Sequence, residues 1–293
     1  MNNIGVGKYL YLALVAKDFF RNILLYVKRR LIKRAIRSVT LTRHEYDEGA
    51  WQSIFAERAW ESFDSLEDYV CAKNDSRKIV CLIDGKISKV TAGEYYRFRR
   101  DNLATLLSGW VDAQQELIEL GCGYGINLFS LIGTAAQPKY MVGMDVSEKG
   151  LTAGGQIAGY FNIDNVEFLN IDLLDVNHKN MAIINGKTVF TYYCLEQLGN
   201  YMDQVLDNLI KAKPKRVIHI EPTREILDPS ILLDLNSIIY SHSMDYPSTL
   251  IAGLKAREEV QELKILKIEK RVFAPTLRHY PAFIVWEPRE SGS

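Results

Sequence analysis

Apolar and polar positions divide the chain into short apolar runs and longer stretches with helical spacing. Leu117-Ile118, Tyr140–Met144, Val166–Asn170, Val189–Leu195 and Arg216–Glu221 are compact runs bounded by turn residues. Between them, Ile126, Leu128, Phe129, Leu131 and Ile132 recur as on one helix face, and Tyr201–Lys211 repeats that pattern. Strands alternating with helices predict a parallel α/β sheet with helices on both faces. Two further strands, Ile265–Phe273 and Ala282–Trp286, close the pattern through the connection 274–281, and Pro222 ends the strand before 223–262. The region 223–262 reads as mostly helical, an insertion over the pocket, with 241–247 as an irregular loop.

Upstream of the sheet the pattern changes. Residues 8–37 contain no proline or glycine and predict one long helix or two short ones. In 24–37, Leu24, Val27, Leu31, Ile32 and Ala35 share one side, opposite Arg29, Arg30, Lys33, Arg34 and Arg37. Residues 44–113 are helix-rich, acidic and aromatic. Within them Asp84-Gly85 between two apolar runs signals a hairpin, and a helix begins near Tyr95 and ends near Trp110.

The chemistry concentrates at the ends of the predicted strands. Glu119-Leu120-Gly121-Cys122-Gly123-Tyr124-Gly125 leaves the first strand and opens a helix. Glycines there let the backbone turn sharply and approach a ligand without a Cβ in the way. Glu119 is a poor neighbour for a pyrophosphate and a good one for a cationic ligand. Asp145 ends the second strand, where an acid commonly accepts from a ribose diol, and Ile171-Asp172 follows the third. Asp172 is placed to accept from an exocyclic amine. Taken singly, a loop glycine is a turn former and an acid after a strand is a helix cap; order and spacing carry the signal.

On these residues, 114–286 resemble the class I S-adenosylmethionine-dependent methyltransferases, with E-L-G-C-G-Y-G as their first motif, Asp145 as the second and Ile171-Asp172 as the third. The resemblance implies a Rossmann-like seven-stranded sheet with helices on both faces, ending in an antiparallel hairpin, behind a helical N-terminal extension. It divides the chain into 1–43, a cap region 44–113 and a cofactor domain 114–293. It implies S-adenosyl-L-methionine as cofactor, held by Glu119, Gly121, Cys122, Gly123, Gly125, Asp145, Val146, Ile171, Asp172 and Tyr193. In that family the segments before the first motif help to cover the cofactor, so an aromatic or arginine from 95–100 could meet its carboxylate. A nicotinamide-binding unit is disfavoured by Glu119 and by GxGxG spacing in place of GxGxxG. A non-catalytic cofactor-binding scaffold is the other alternative.

Composition is that of an ordinary globular chain: 293 residues, 47% hydrophobic and 25% charged. The formal net charge of zero conceals +9 on residues 1–43 and −9 on the remainder. The N-terminal segment is thus suited to an anionic membrane surface through residues 8–37, to packing on the domain or on a second copy as a homodimer, or to nucleic acid. The last is not expected, because exposed base-stacking aromatics are missing. The four cysteines form no zinc or disulfide pattern, and no apolar run approaches the length of a spanning helix. The expected location is cytoplasmic, peripheral to the inner face of a membrane if the helix binds lipid.

The acceptor is less legible. An oxygen acceptor needs a base, and Glu196, Glu221 and His242 rank ahead of His279. His219 lies within a strand, where a satisfied buried histidine is expected. The amine methylators of the family often carry Asn-Pro-Pro-Tyr after the fourth strand; here the chain reads Tyr192-Tyr193-Cys194-Leu195. No acid cluster suggests a metal. The expectation is O-methylation of a small molecule, a sugar or a lipid-linked glycan.

Overall fold

The computed structural model describes residues 8–31, 57–244, 246, 249–271 and 273–289. A 24-residue helix, α1 (Lys8–Leu31), is followed by the short α2 (Leu66–Val70), whose Ser65 side chain caps the Asp68 amide. A hairpin of β1 (Lys78–Ile83) and β2 (Lys86–Thr91) comes next, turning at Asp84-Gly85 as expected, and leads into α3 (Ala92–Ser108). Thr91 and Glu94 start α3 with reciprocal bonds, each side chain accepting from the other's backbone amide. That Thr-x-x-Glu signal is plain in the sequence and refines the predicted start by a few residues.

The main sheet then forms from β3 (Glu116–Leu120), α4 (Ile126–Leu131), β4 (Tyr140–Asp145), α5 (Glu148–Tyr160), β5 (Val166–Asn170), β6 (Thr188–Tyr192), α6 (Met202–Ala212) and β7 (Arg216–Glu221). It continues with α7 (Leu232–Ser243), α8 (Leu250–Glu259), β8 (Leu263–Lys270) and β9 (Ala282–Pro288). Its order is β5-β4-β3-β6-β7-β9-β8. Strands β3 to β7 pair in parallel, whereas β9 runs antiparallel to both β7 and β8. This order, with a terminal antiparallel strand inserted beside β7, is the seven-stranded Rossmann-like sheet that the resemblance implied.

Alternation of side chains explains why the strands read as continuous apolar runs. Ile118 and Leu120 of β3 join Val142, Val189 and Val217 under α6 and α8, while Leu117 joins Met141, Phe190 and Ile218 under α3, α4 and α5. Both faces are covered, so both sets are apolar.

The end of 223–262 departs from its expected role. Helix α8 packs on α6 and β8, where Arg257 reaches Asp203 and Asp207 at 3.1 and 2.6 Å. Helix α7 packs on α1. No described residue of 223–262 lines the cavity described below.

Helix α1 meets the body on the side opposite Leu24 and Val27, not by the apolar side that the domain-packing alternative would use. Its contact with α7 joins an apolar part, Val15 with Leu233, to a buried polar ladder. Asn22, fully buried, donates to Asn236 (2.8 Å); Asn236 donates to Asp18 (3.0 Å); and Asp18 pairs with Arg278 (2.5 Å). Arg29, expected on the solvent side, turns inward to the Ser243 carbonyl (3.0 Å). Leu24 and Val27 face out instead. Residues 32–37, with the remainder of the predicted helix, lie outside the described residues.

Candidate active site

The order of strands reverses at β3, whose neighbours are β4 and β6, and a crevice opens at the carboxyl ends of strands around such a point. A cavity of about 340 Å³ occupies it. Its floor is the glycine loop. Gly121 and Gly125 have φ of +74° and +82°, a region that only glycine enters freely. A Cβ on Gly121 would lie 2.0 Å from Cys194 Sγ, and one on Gly125 2.6 Å from the Phe168 ring. The glycines were expected to make room for a ligand; at these two positions they make room for the protein's own β5 and the turn after β6.

Asp145 ties the loop together. Its Oδ2 accepts from the Gly123 amide at 2.7 Å and its Oδ1 from the Ser147 amide at 2.8 Å, joining the glycine loop to the start of α5. Asp145 also lines the cavity. Asp172 takes the Leu174 amide at 2.9 Å and lines the cavity with Val146, Ile171 and Leu173, which supply an apolar wall beside the acid.

Of the residues expected to hold a cofactor, Gly121, Cys122, Gly123, Asp145, Val146, Ile171, Asp172 and Tyr193 line the cavity. Glu119 and Gly125 do not. Gly125 caps the start of α4, and Glu119 stands behind Asn127, whose amide donates to its Oε1 at 2.5 Å. The other oxygen of Glu119 is buried without a hydrogen bond, and burial pushes this carboxyl up to about 8. Arg99 of α3 closes the series: it donates to the side-chain oxygen Oδ1 of Asn127, lies 5.0 Å above the Tyr192 ring and borders the cavity. Of the segment 95–100, in which an aromatic or an arginine was expected to meet a carboxylate, Arg99 is the residue that borders the cavity. Asn127 was missed, although a polar residue in the otherwise apolar first turn of α4 was its signal.

The far wall is the turn after β6. Tyr193 adopts φ +54°, sterically costly for a large side chain, and such outliers persist where the surroundings impose them. Its hydroxyl donates to the His279 carbonyl at 3.0 Å. Burial raises the thiols of Cys122 and Cys194 well above their ordinary value, so both are neutral wall groups and not nucleophiles.

The three expected bases are not gathered in the cavity. Glu221 is buried beneath the turn, where its Oε1 accepts from the Cys194 amide at 2.9 Å, and burial lifts it to about 8. It anchors the turn. His242 occupies the last turn of α7, not a loop, and lies 2.7 Å from Arg224 on the surface. Glu196 pairs with His279 Nε2 at 2.6 Å, and that imidazole packs against Tyr193, Tyr240 and Tyr246. His279, ranked last from the sequence, is thus the histidine next to the cavity wall. His219 is satisfied as expected: Trp286 donates to its Nε2 at 3.0 Å, leaving Nδ1–H to face Thr191 at 2.9 Å, and burial holds it down to about 3.

Sheet order, glycine loop and strand-end acids agree with the fold that the resemblance implied. No family model matches the chain, and no curated protein matches it in sequence. Among solved structures it is similar to a magnesium protoporphyrin IX methyltransferase from Synechocystis PCC 6803 with bound S-adenosylhomocysteine. The identity is 17% and the TM-score 0.48, over 67% of this chain and 85% of that one. A geranyl diphosphate C-methyltransferase from Streptomyces coelicolor is 13% identical with a TM-score of 0.47, over 65% and 78%. A SAM-dependent methyltransferase from Aquifex aeolicus is 13% identical with a TM-score of 0.42, over 64% and 88%. These likenesses concern fold alone; the porphyrin and the diphosphate belong to those proteins.

Proposed function

We propose that this chain binds S-adenosyl-L-methionine and transfers its methyl group to an oxygen of a small molecule, a sugar or a lipid-linked glycan. The observation that carries the reading is the cavity itself, set between the glycine loop and the Tyr193–Cys194 turn at the switch point of the sheet. The donor set fits the cofactor. Asp145 offers acceptors for a ribose diol, Asp172 with Ile171 and Leu173 suits an amino-substituted flat ring, and Arg99 suits a carboxylate. The bound cofactor supplies an electrophilic methyl group whose leaving group is a neutral thioether. What remains for the protein is alignment and removal of the acceptor's proton.

The Glu196–His279 pair supports an oxygen acceptor. With Nε2 turned to the carboxylate, the buried Nδ1 carries no hydrogen bond. A carboxylate-oriented histidine is a base of the right kind for a hydroxyl proton, with Tyr193 standing between this one and the cavity.

Calorimetric titration with S-adenosylmethionine, S-adenosylhomocysteine and NAD tests the reading. Micromolar binding of the first two and none of NAD is expected. Asp145→Ala should weaken both by about 1–3 kcal/mol, the cost of unpaired polar groups in a buried site. Binding of NAD alone overturns the proposal.

A further inference from the structure

Helix α1 sits on the body with its sides reversed. Placed at about 100° per residue, the arc toward the body holds Asp18, Asn22, Arg29 and Val15, and the bonds to Asn236, Arg278 and Ser243 come from it. The opposite arc is open to solvent and divides in two. One half carries Phe20, Leu24 and Val27, of which Phe20 and Leu24 are 64% and 70% exposed. The other half carries Lys17, Arg21 and Lys28, all exposed. Large apolar side chains left in water beside a row of cations are not the surface of a helix whose packing is complete.

We propose that this face of α1 docks the protein on an anionic lipid bilayer, lying in the plane of the headgroups. Charge complementarity selects that occupant. The segment 1–43 carries +9 while the remainder carries −9, so a negative surface attracts the helix and repels the body, fixing which side faces the lipid. Apolar side chains enter the acyl boundary and the neighbouring lysines and arginine meet the headgroups, the arrangement of interfacial helices. No helix among the described residues is long and apolar enough to cross a membrane, which is consistent with lying on one. The polar ladder makes the attachment stiff. Asp18 holds Arg278, and the next residue, His279, holds Tyr193 at the cavity wall. A docked α1 therefore sets the orientation of the cavity relative to the bilayer.

Co-sedimentation of the full chain with vesicles of phosphatidylcholine mixed with phosphatidylglycerol, and of phosphatidylcholine alone, tests this. The protein should bind the mixed vesicles and not the neutral ones. The variant F20E/L24E/V27E should lose binding by on the order of tenfold or more, since it removes the inserted surface. Each step in the series K17Q, R21Q and K28Q should weaken it roughly fivefold. Melting temperatures of all variants should match the parent, because these side chains are exposed. Absence of binding to either vesicle, or binding that ignores the substitutions, overturns the proposal. So does a parent chain that sediments as a dimer in free solution and becomes monomeric in F20E/L24E/V27E, which would assign the face to a second copy. A large loss of melting temperature in that variant with lipid binding retained would assign the face to the chain's own remaining residues, and likewise overturns it.

Discussion

At the scale of single residues, the site is built from atoms that are missing as much as from atoms that are present. Gly121 has room for no side chain because Cys194 Sγ occupies the space where its Cβ would project. Gly121→Ala should therefore cost several kcal/mol, combining an overpacked contact with the left-handed backbone penalty of about 1–2 kcal/mol. Adding Cys194→Gly should restore the packing share and leave the backbone share, a non-additive result that denaturant unfolding of the four proteins would reveal. Strict additivity would mean that the two sites do not touch. Arg99 presents the opposite case, a present cation whose removal is felt twice. Arg99→Met takes away the group suited to a carboxylate and leaves Asn127 and Glu119 without their neighbouring positive charge. Loss of a charge-assisted bond is worth about 1.5–3 kcal/mol, so affinity for S-adenosylhomocysteine should fall by roughly ten- to a hundredfold in a calorimetric titration. Unchanged affinity would remove Arg99 from the ligand's surroundings.

At the scale of elements, α1 and α7 show what a periodicity can and cannot reveal. The apolar stripe of α1 is real, but a stripe marks a helix with two unlike sides without saying which side the body takes. Here Asn22 and Asp18 are claimed by partners more than two hundred residues away, Asn236 and Arg278, which no local pattern announces. Asn22→Ala should leave the side-chain oxygen Oδ1 of Asn236 buried without its donor and destabilise the fold by about 1–3 kcal/mol. For a chain of this size that lowers the melting temperature by roughly 2–4 °C per kcal/mol, while cofactor affinity stays the same. A melting temperature equal to the parent's would mean that α1 is not held by this bond. The central strands, by contrast, were legible one by one, because burial on both faces forces continuous apolar runs such as Tyr140–Met144. So were the loop and acids at their ends, since the chemistry of the crevice demands those residues at those positions. Asn127 and His279 escaped for a common reason. Each becomes relevant through a side chain brought to it by tertiary packing, Arg99 in one case and Glu196 in the other.

At the scale of the whole molecule, the fold holds two acids under conditions that oppose their charge. Glu119 and Glu221 are buried at the ends of β3 and β7, and burial moves both carboxyls from 4.5 up to about 8. In the unfolded chain each is ionised above its ordinary value, whereas in the folded chain each keeps its proton until about 8. The folded state therefore binds more protons across that interval, and its stability must fall as pH rises through it. Below 4.5 the contribution is complete; above 8 it is gone. The melting temperature of the ligand-free protein should accordingly drop between pH 5 and pH 8 by several degrees. Glu119→Gln and Glu221→Gln should each flatten part of the slope, since an amide of the same shape does not titrate. The comparison with each variant separates these two groups from every other that titrates in the window. S-adenosylhomocysteine should raise the curve at every pH, because a ligand bound only by the folded state stabilises it by mass action. A parent curve that rises from pH 5 to pH 8, with both variants parallel to it, would show that these carboxyls are ionised in the folded protein and that the crevice is more polar than its burial implies.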